Sequence, residues 1–263
     1  MNTVILIPAR YQSSRYPGKP LVEIKGASGN AKPLIQRSVE AARRVAGVSA
    51  VFVTTDDERI AEACAGFGVI MTSPECRNGT ERCAEALSSL HDPDLVINFQ
   101  GDALLTPPGF VEALIARMDE DSDAMVATPA LRLRSQEVRA LQAEEAAGRV
   151  GGTSVVTDGQ GYALYFSKRL IPHLPKGTLD EAMSPVRLHV GVYAYRPAAL
   201  ERYVATPVSQ LEILEGLEQL RFLDARVPVA VVEVATPPFA TRELNNPEDV
   251  EPIEQALIEA GLE

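Results

Sequence analysis

Tryptophan is absent from this chain, and cysteine and histidine occur only three times each. The cysteines, Cys64, Cys76 and Cys83, are odd in number and show no CxxC spacing, so neither a disulfide framework nor a zinc site is expected. Cys64 and Cys83 fall at helical spacing and read as small buried apolar residues. No apolar run approaches the roughly 18 residues that a membrane span needs. The first strand pattern begins at the third residue, leaving no room for a signal peptide. A cytoplasmic chain that binds neither membrane nor nucleic acid is the resulting expectation. The exclusion of nucleic acid follows from charge: 36 acidic residues against 25 basic ones give a net −11, the wrong sign for neutralising a phosphate polymer.

Against that acidic background, residues 10 to 19 carry Arg10, Arg15 and Lys19 and no acid. A local basic loop on an acidic protein points to a small anion. The loop, Pro8-Ala9-Arg10-Tyr11-Gln12-Ser13-Ser14-Arg15-Tyr16-Pro17-Gly18-Lys19-Pro20, follows the apolar run Thr3–Ile7, which has the pattern of a strand buried on both faces. It lacks GxxxxGK[ST] and is therefore not a Walker A loop. Three long cations beside backbone amides suit a triphosphate, whose leaving pyrophosphate gathers charge during transfer. A solvated basic turn has the same composition.

Strand patterns over Val51–Thr55, Val69–Met71 and Leu95–Phe99 alternate with helical patterns over Lys32–Val45, Glu58–Gly66 and Gly79–Leu90. This alternation predicts a mainly parallel sheet with ligands at the carboxyl ends of its strands. Both the basic loop and Gln100-Gly101-Asp102 directly follow strands, so both are expected on that edge. After about residue 122 the pattern changes to strand-like segments at Met125–Thr128, Thr153–Val156, Tyr162–Phe166 and His189–Tyr195, with a helix over Glu137–Arg149. Helix Leu211–Leu223, strand Val227–Val234 and a final helix opening at Asn246-Pro247 complete the chain. A single domain over residues 1–263 is expected, with a mixed or antiparallel sheet extension over about 123–200.

The segment LIPARYQSSRYPGKPL resembles the signature loop of the CMP-KDO synthetases (3-deoxy-manno-octulosonate cytidylyltransferases), relatives of the CMP-sialic acid synthetases. Seven further blocks are similar to that family in order and spacing: TTDDERI, MTSPECRNGTER, INFQGDALLTPP, GYALYFSKRLIP, LHVGVYAYR, LEGLEQLRFL and NNPEDVEPIE. The resemblance implies an α/β nucleotide-diphospho-sugar transferase fold, a Rossmann-like three-layer sandwich with a mainly parallel central sheet and a smaller mixed or antiparallel dimerisation extension. It also implies activation of an acidic 2-keto sugar with CTP and magnesium, release of pyrophosphate, and a homodimer. Carried over residue by residue, Arg10, Arg15 and Lys19 match triphosphate-binding positions and Ala9 a backbone contact to cytosine. Thr80 and Arg82 match a block near the nucleotide, and Gln100 lies near both nucleotide and sugar. Asp102 matches a magnesium-binding carboxylate. His189 and Tyr193 match sugar-contacting residues, and their spacing of four on one strand puts them on the same face. Glu218 and Gln219 match acceptor-binding residues on a helix.

Departures from the family pattern touch the chemistry. Ala103-Leu104 stands where the family has Glu-Pro, and Asn245 where it has a second metal-binding aspartate, removing a full charge from the site. Ser154 and Lys168 replace an expected Lys and Arg, and Lys cannot reproduce a planar guanidinium fork. A short insertion, Ala27–Ala31, precedes the first helix. Three functions therefore stay open: cytidylyl transfer to KDO or a close analogue; the same transfer to a modified octulosonate, a nonulosonate or a phosphonate; and a non-catalytic CTP-binding relative.

Overall fold

The structure is a computed structural model describing residues 1–13, 15–239 and 243–263. Along the chain the first elements are β1 (Thr3–Ala9), β2 (Glu23–Lys25), β3 (Ala31–Pro33), α1 (Leu34–Ala42), β4 (Ala50–Thr55), α2 (Glu58–Ala63), β5 (Gly68–Met71), α3 (Gly79–Ala86), β6 (Leu95–Asn98) and α4 (Pro108–Glu120). There follow β7 (Val126–Arg134), α5 (Ser135–Ala146), β8 (Ser154–Thr157), β9 (Ala163–Ser167), β10 (Met183–His189) and β11 (Tyr193–Tyr195). The last are α6 (Pro197–Ala205), α7 (Gln210–Glu215), α8 (Leu220–Asp224), β12 (Val229–Val234) and α9 (Val250–Ala260). None of the helices among the described residues is long and apolar enough to cross a membrane.

Two compact units share the chain. The first comprises Met1–Glu112, Ala194–Leu200 and Pro237–Glu263, and the second Ala113–Tyr193 and Glu201–Thr236. In the first unit β1 pairs in parallel with both β4 and β6, and β4 in parallel with β5. The near-continuous apolar runs explain this: five consecutive residues of β1 and all four of β6 are buried, as strands covered on both faces require. α2 starts where Asp57 accepts from the Arg59 amide, and α3 where the Asn78 side chain accepts from the Glu81 amide. A second cluster, Ile24, Leu34, Leu104, Leu105, Leu244, Ile253 and Leu257, fastens the segment after β6 and the segment before α9 to the same core.

In the second unit β7 is the axis. β12 pairs with it in parallel and β10 antiparallel, and the antiparallel order continues through β8 to β9. Strands of both orientations in this unit match the expected mixed extension.

Two local expectations change, at Leu211–Leu223 and at His189–Tyr195, and two further features are added by the structure. The insertion Ala27–Ala31 forms a hairpin turn: β2 and β3 pair antiparallel, and Gly29, with φ 81°, makes the reversal. The helical pattern of Leu211–Leu223 splits into α7 and α8, because Gly216 adopts a left-handed conformation and closes α7. The run His189–Tyr195 is not one strand. β10 ends at His189, a tight turn with the Val192 amide on the Val190 carbonyl at 2.8 Å intervenes, and β11 begins at Tyr193. Helices α4 and α6 begin at Pro108 and Pro197, where a missing amide costs a helix nothing in its first turn. Cys64 and Cys83 are buried, as their spacing suggests, and the third free thiol, Cys76, is buried as well.

Candidate active site

Strand β1 delivers the basic loop at its carboxyl end. Gly18 makes the loop possible: its φ is 74°, its amide donates to the Tyr11 carbonyl at 2.9 Å, and a Cβ there would lie 3.2 Å from the Tyr11 ring. Arg59 of α2 lies over that ring at 3.4 Å, held by two hydrogen bonds to the Asp57 carboxylate. The loop is thus closed by its own backbone and weighted by a stacked guanidinium. Ser14 lies outside the described residues.

Strand β6 delivers the acidic counterpart. Gly101 passes so close to β1 that a Cβ would sit 3.0 Å from the Pro8 carbonyl oxygen, and its own carbonyl accepts from Ser38 of α1 at 2.8 Å. Asp102 then meets Lys19 in a direct ion pair. On the segment before α9, Asn245 Oδ1 accepts from Arg15 at 2.7 Å, and Asp249 holds that turn by accepting from the Asn245 and Asn246 amides. The first unit therefore brings Arg15, Lys19, Asp102 and Asn245 together from three places in the chain. Arg10 is exposed and reaches the Arg77 carbonyl only at 3.5 Å, Ala9 is buried at the end of β1, and Gln100 is half-buried beside Gly101.

A residue that the motifs did not single out joins this group. Burial and then the charge of Asp102 push the Glu243 carboxyl up to about 7, while Lys19 and Arg15 pull it the other way. Glu243 alternates with the buried Leu244, as does Asn245. An acid two positions before Asn245 is the only sequence sign of it.

Thr80 and Arg82 sit on the first turn of α3. Thr80 is buried and shares a 2.9 Å hydrogen bond with the Tyr195 hydroxyl. Arg82 is also buried; its guanidinium donates to Thr72 Oγ1 at 2.5 Å and lies 3.3 Å from Asp56. Ala103 and Leu104, the residues in place of an acid and a proline, are core residues.

In the second unit, His189 and Tyr193 have ring centroids 5.4 Å apart, and Phe166 meets His189 edge-on at 5.2 Å. The turn between β10 and β11, not a shared strand face, makes the pair neighbours. Burial lowers the His189 pKa to about 3, so the ring is neutral. Glu218 and Gln219 occupy the turn between α7 and α8, not a single helix, and Gln219 is buried. That turn is clamped by Glu212 and Arg221, joined by two hydrogen bonds of 2.7 and 2.5 Å with both side chains buried. Ser154 is buried too, donating to the Arg169 carbonyl at 2.5 Å and accepting from the Ile171 amide at 3.1 Å. Lys168 is exposed, and its amide donates to Glu215.

The cytidylyltransferase family model matches residues 4–228. The 3-deoxy-manno-octulosonate cytidylyltransferase of Maricaulis maris (strain MCS10) is 39% identical, the alignment covering 99% of each chain. The 8-amino-3,8-dideoxy-manno-octulosonate cytidylyltransferase of Shewanella baltica (strain OS155 / ATCC BAA-1091) is 40% identical over 98% of this chain and 99% of its own. Among solved structures, a CMP:2-keto-3-deoxy-manno-octonic acid synthetase complexed with CTP superposes with a TM-score of 0.84 at 35% identity, covering 99% of this chain and all of that one. With a family match over most of its length and relatives aligned end to end, the chain belongs to the cytidylyltransferase family.

Proposed function

We propose that this protein couples CTP to a 2-keto-3-deoxy sugar acid, 3-deoxy-manno-octulosonate or a close analogue, to give the CMP-sugar and pyrophosphate. The observation that carries this reading is the meeting of the β1 loop with the end of β6 and with the segment before α9: Lys19 on Asp102 and Arg15 on Asn245. Relatives named for this transfer align with the chain from end to end. The acceptor's anomeric hydroxyl oxygen forms a bond to the α-phosphorus of CTP, the bond from that phosphorus to the pyrophosphate oxygen breaks, and the hydroxyl proton is released to water. No protein nucleophile is needed. Arg10, Arg15 and Lys19 neutralise the departing pyrophosphate, the Ala9 backbone reads cytosine, and Thr80 and Arg82 support the nucleotide. His189, Tyr193, Glu218 and Gln219 hold the acceptor, with Gln100 between the two tasks.

The residues fit a magnesium ion. Asp102 supplies a carboxylate, Asn245 a carboxamide oxygen and Glu243 a second carboxylate, all hard oxygen donors. Burial first and repulsion from Asp102 second raise Glu243, and a cation would oppose both. When bound, magnesium lowers the pKa of the attacking hydroxyl and polarises the phosphoryl oxygens. A homodimer formed through the second unit's sheet completes the proposal.

The test is pyrophosphate release from CTP and magnesium across a panel of sugar acids. A second reading changes only the acceptor. Ser154 is tied to backbone on both sides, so the cation expected there is replaced by a structural hydroxyl. Robust turnover of unmodified 3-deoxy-manno-octulosonate removes the need for it; turnover confined to an amino-sugar or nonulosonate member of the panel selects it.

A further inference from the structure

The environment of His189 determines which of its nitrogens carries the proton. Thr128, buried on β7, has its Oγ1 2.9 Å from His189 Nε2, 2.8 Å from the Val192 carbonyl oxygen and 3.2 Å from the Val190 carbonyl oxygen. A hydroxyl has one proton. Two oxygens 2.8 Å apart require a proton between them, and a carbonyl has none to give. The Val190 carbonyl already accepts from the Val192 amide. The Thr128 proton is therefore committed to Val192, and Oγ1 can only accept from the imidazole. His189 must be the tautomer protonated at Nε2, with a bare lone pair at Nδ1. Among the described residues, none is seen to hydrogen-bond Nδ1: the side-chain bond of His189 goes to Thr128 through Nε2, and the Phe166 and Tyr193 rings lie beside it.

Resting on the acceptor-binding role given to His189 above, we infer that Thr128 is a positioning residue that fixes His189 as a hydrogen-bond acceptor, so that Nδ1 receives a hydroxyl of the sugar acid and not its carboxylate. A carboxylate has no proton to offer and meets only repulsion from a lone pair. The acidic end of the substrate must then be read by other groups, and His189 acts as a discriminator of hydroxyl placement. The turn from Val190 to Val192, which ends β10 and starts β11, exists in register with this arrangement, since the same hydroxyl ties the Val192 carbonyl to β7.

Two measurements on the full-length protein test this. Nitrogen-15 spectra of the imidazoles, simplified by there being three histidines, should show His189 neutral, protonated at Nε2 and bare at Nδ1. Adding 3-deoxy-manno-octulosonate without CTP should then move the Nδ1 resonance. A proton on Nδ1, or an imidazolium at neutral pH, overturns the inference. In steady-state assays with CTP and the same sugar, Thr128→Val should raise the KM for the sugar by about tenfold, the loss of one oriented hydrogen bond. KM for CTP should stay as in the wild type, and Thr128→Ser should restore the sugar KM. An unchanged sugar KM in Thr128→Val overturns it; a general loss of stability would move both KM values and would not be rescued selectively by Ser. Should the wild type turn over no sugar acid, the proposed function fails, while the tautomer spectrum still decides the chemistry of His189 by itself.

Discussion

At the scale of single residues, the proposed chemistry rests on a few charged and polar groups. Asp102 has Lys19 directly upon it, and Arg15 is held by a neutral amide where the family pattern has an acid. Asp102→Asn keeps the shape and removes the charge. Pyrophosphate release is expected to fall by about 10²–10³, the usual cost of deleting one group that stabilises developing charge; rates within a few-fold of wild type would show that Asp102 is not part of the chemistry. His189 makes a pH prediction. Its folded pKa lies near 3 against about 6.5 when unfolded, so below pH 6.5 the unfolded chain takes up a proton that the folded chain refuses. The contribution of this residue to stability is full above pH 6.5 and declines as pH falls toward 3. His189→Gln should therefore flatten the fall in Tm between pH 7 and 5, read by thermal melts at constant ionic strength; an identical pH slope in both proteins contradicts a half-buried neutral imidazole.

At the scale of elements, two glycines and one ion pair set the geometry that the side chains use. Gly18→Ala forces a Cβ into a left-handed residue and toward the Tyr11 ring. A cost of about 1–2 kcal/mol follows from the backbone alone, together with a raised KM for CTP because the loop is displaced; a wild-type KM for CTP would detach this turn from nucleotide binding. The α7–α8 corner depends on a buried pair, and Glu212→Gln leaves Arg221 charged and half-satisfied. Breaking one partner of such a pair costs roughly 3–5 kcal/mol, measurable as a shift in urea midpoint, and the turn bearing Glu218 and Gln219 should loosen in hydrogen exchange. Helical periodicity over Leu211–Leu223 does not reveal that corner, because Gly216 is compatible with both outcomes until Glu212 and Arg221 pair. The same holds for His189 and Tyr193. Alternation predicts a continuous strand, whereas the bonds from Thr128, 61 residues earlier in the chain than His189, stabilise a turn.

At the scale of the whole molecule, legibility follows sequence distance. The basic loop, its strand and the Gln-Gly-Asp end of β6 are local patterns, and parallel pairing of β1 with β4 and β6 brings them to one edge as the alternation of elements implies. Glu243 and Thr128 are settled by contacts across dozens of residues, and the anchoring of Ser154 by bonds 15 and 17 residues away, for which one sequence holds no local signal. The substituted positions also acquire physical meaning. Ala103 and Leu104 extend a hydrophobic core, and Glu243 brings near Asp102 a carboxyl that burial and then Asp102 push up to about 7, not the permanent charge absent from Asn245. The acidic surplus of the chain, net −11, leaves the β1 loop as a distinct attractor for a small polyanion. The measurement that bears most directly on this account is the initial rate of pyrophosphate release from CTP with magnesium, with and without 3-deoxy-manno-octulosonate. Saturable release that requires the sugar acid, prefers CTP over the other nucleoside triphosphates and collapses in Asp102→Asn is the predicted result. Tight CTP binding with no release in the presence of any 2-keto-3-deoxy sugar acid would contradict it.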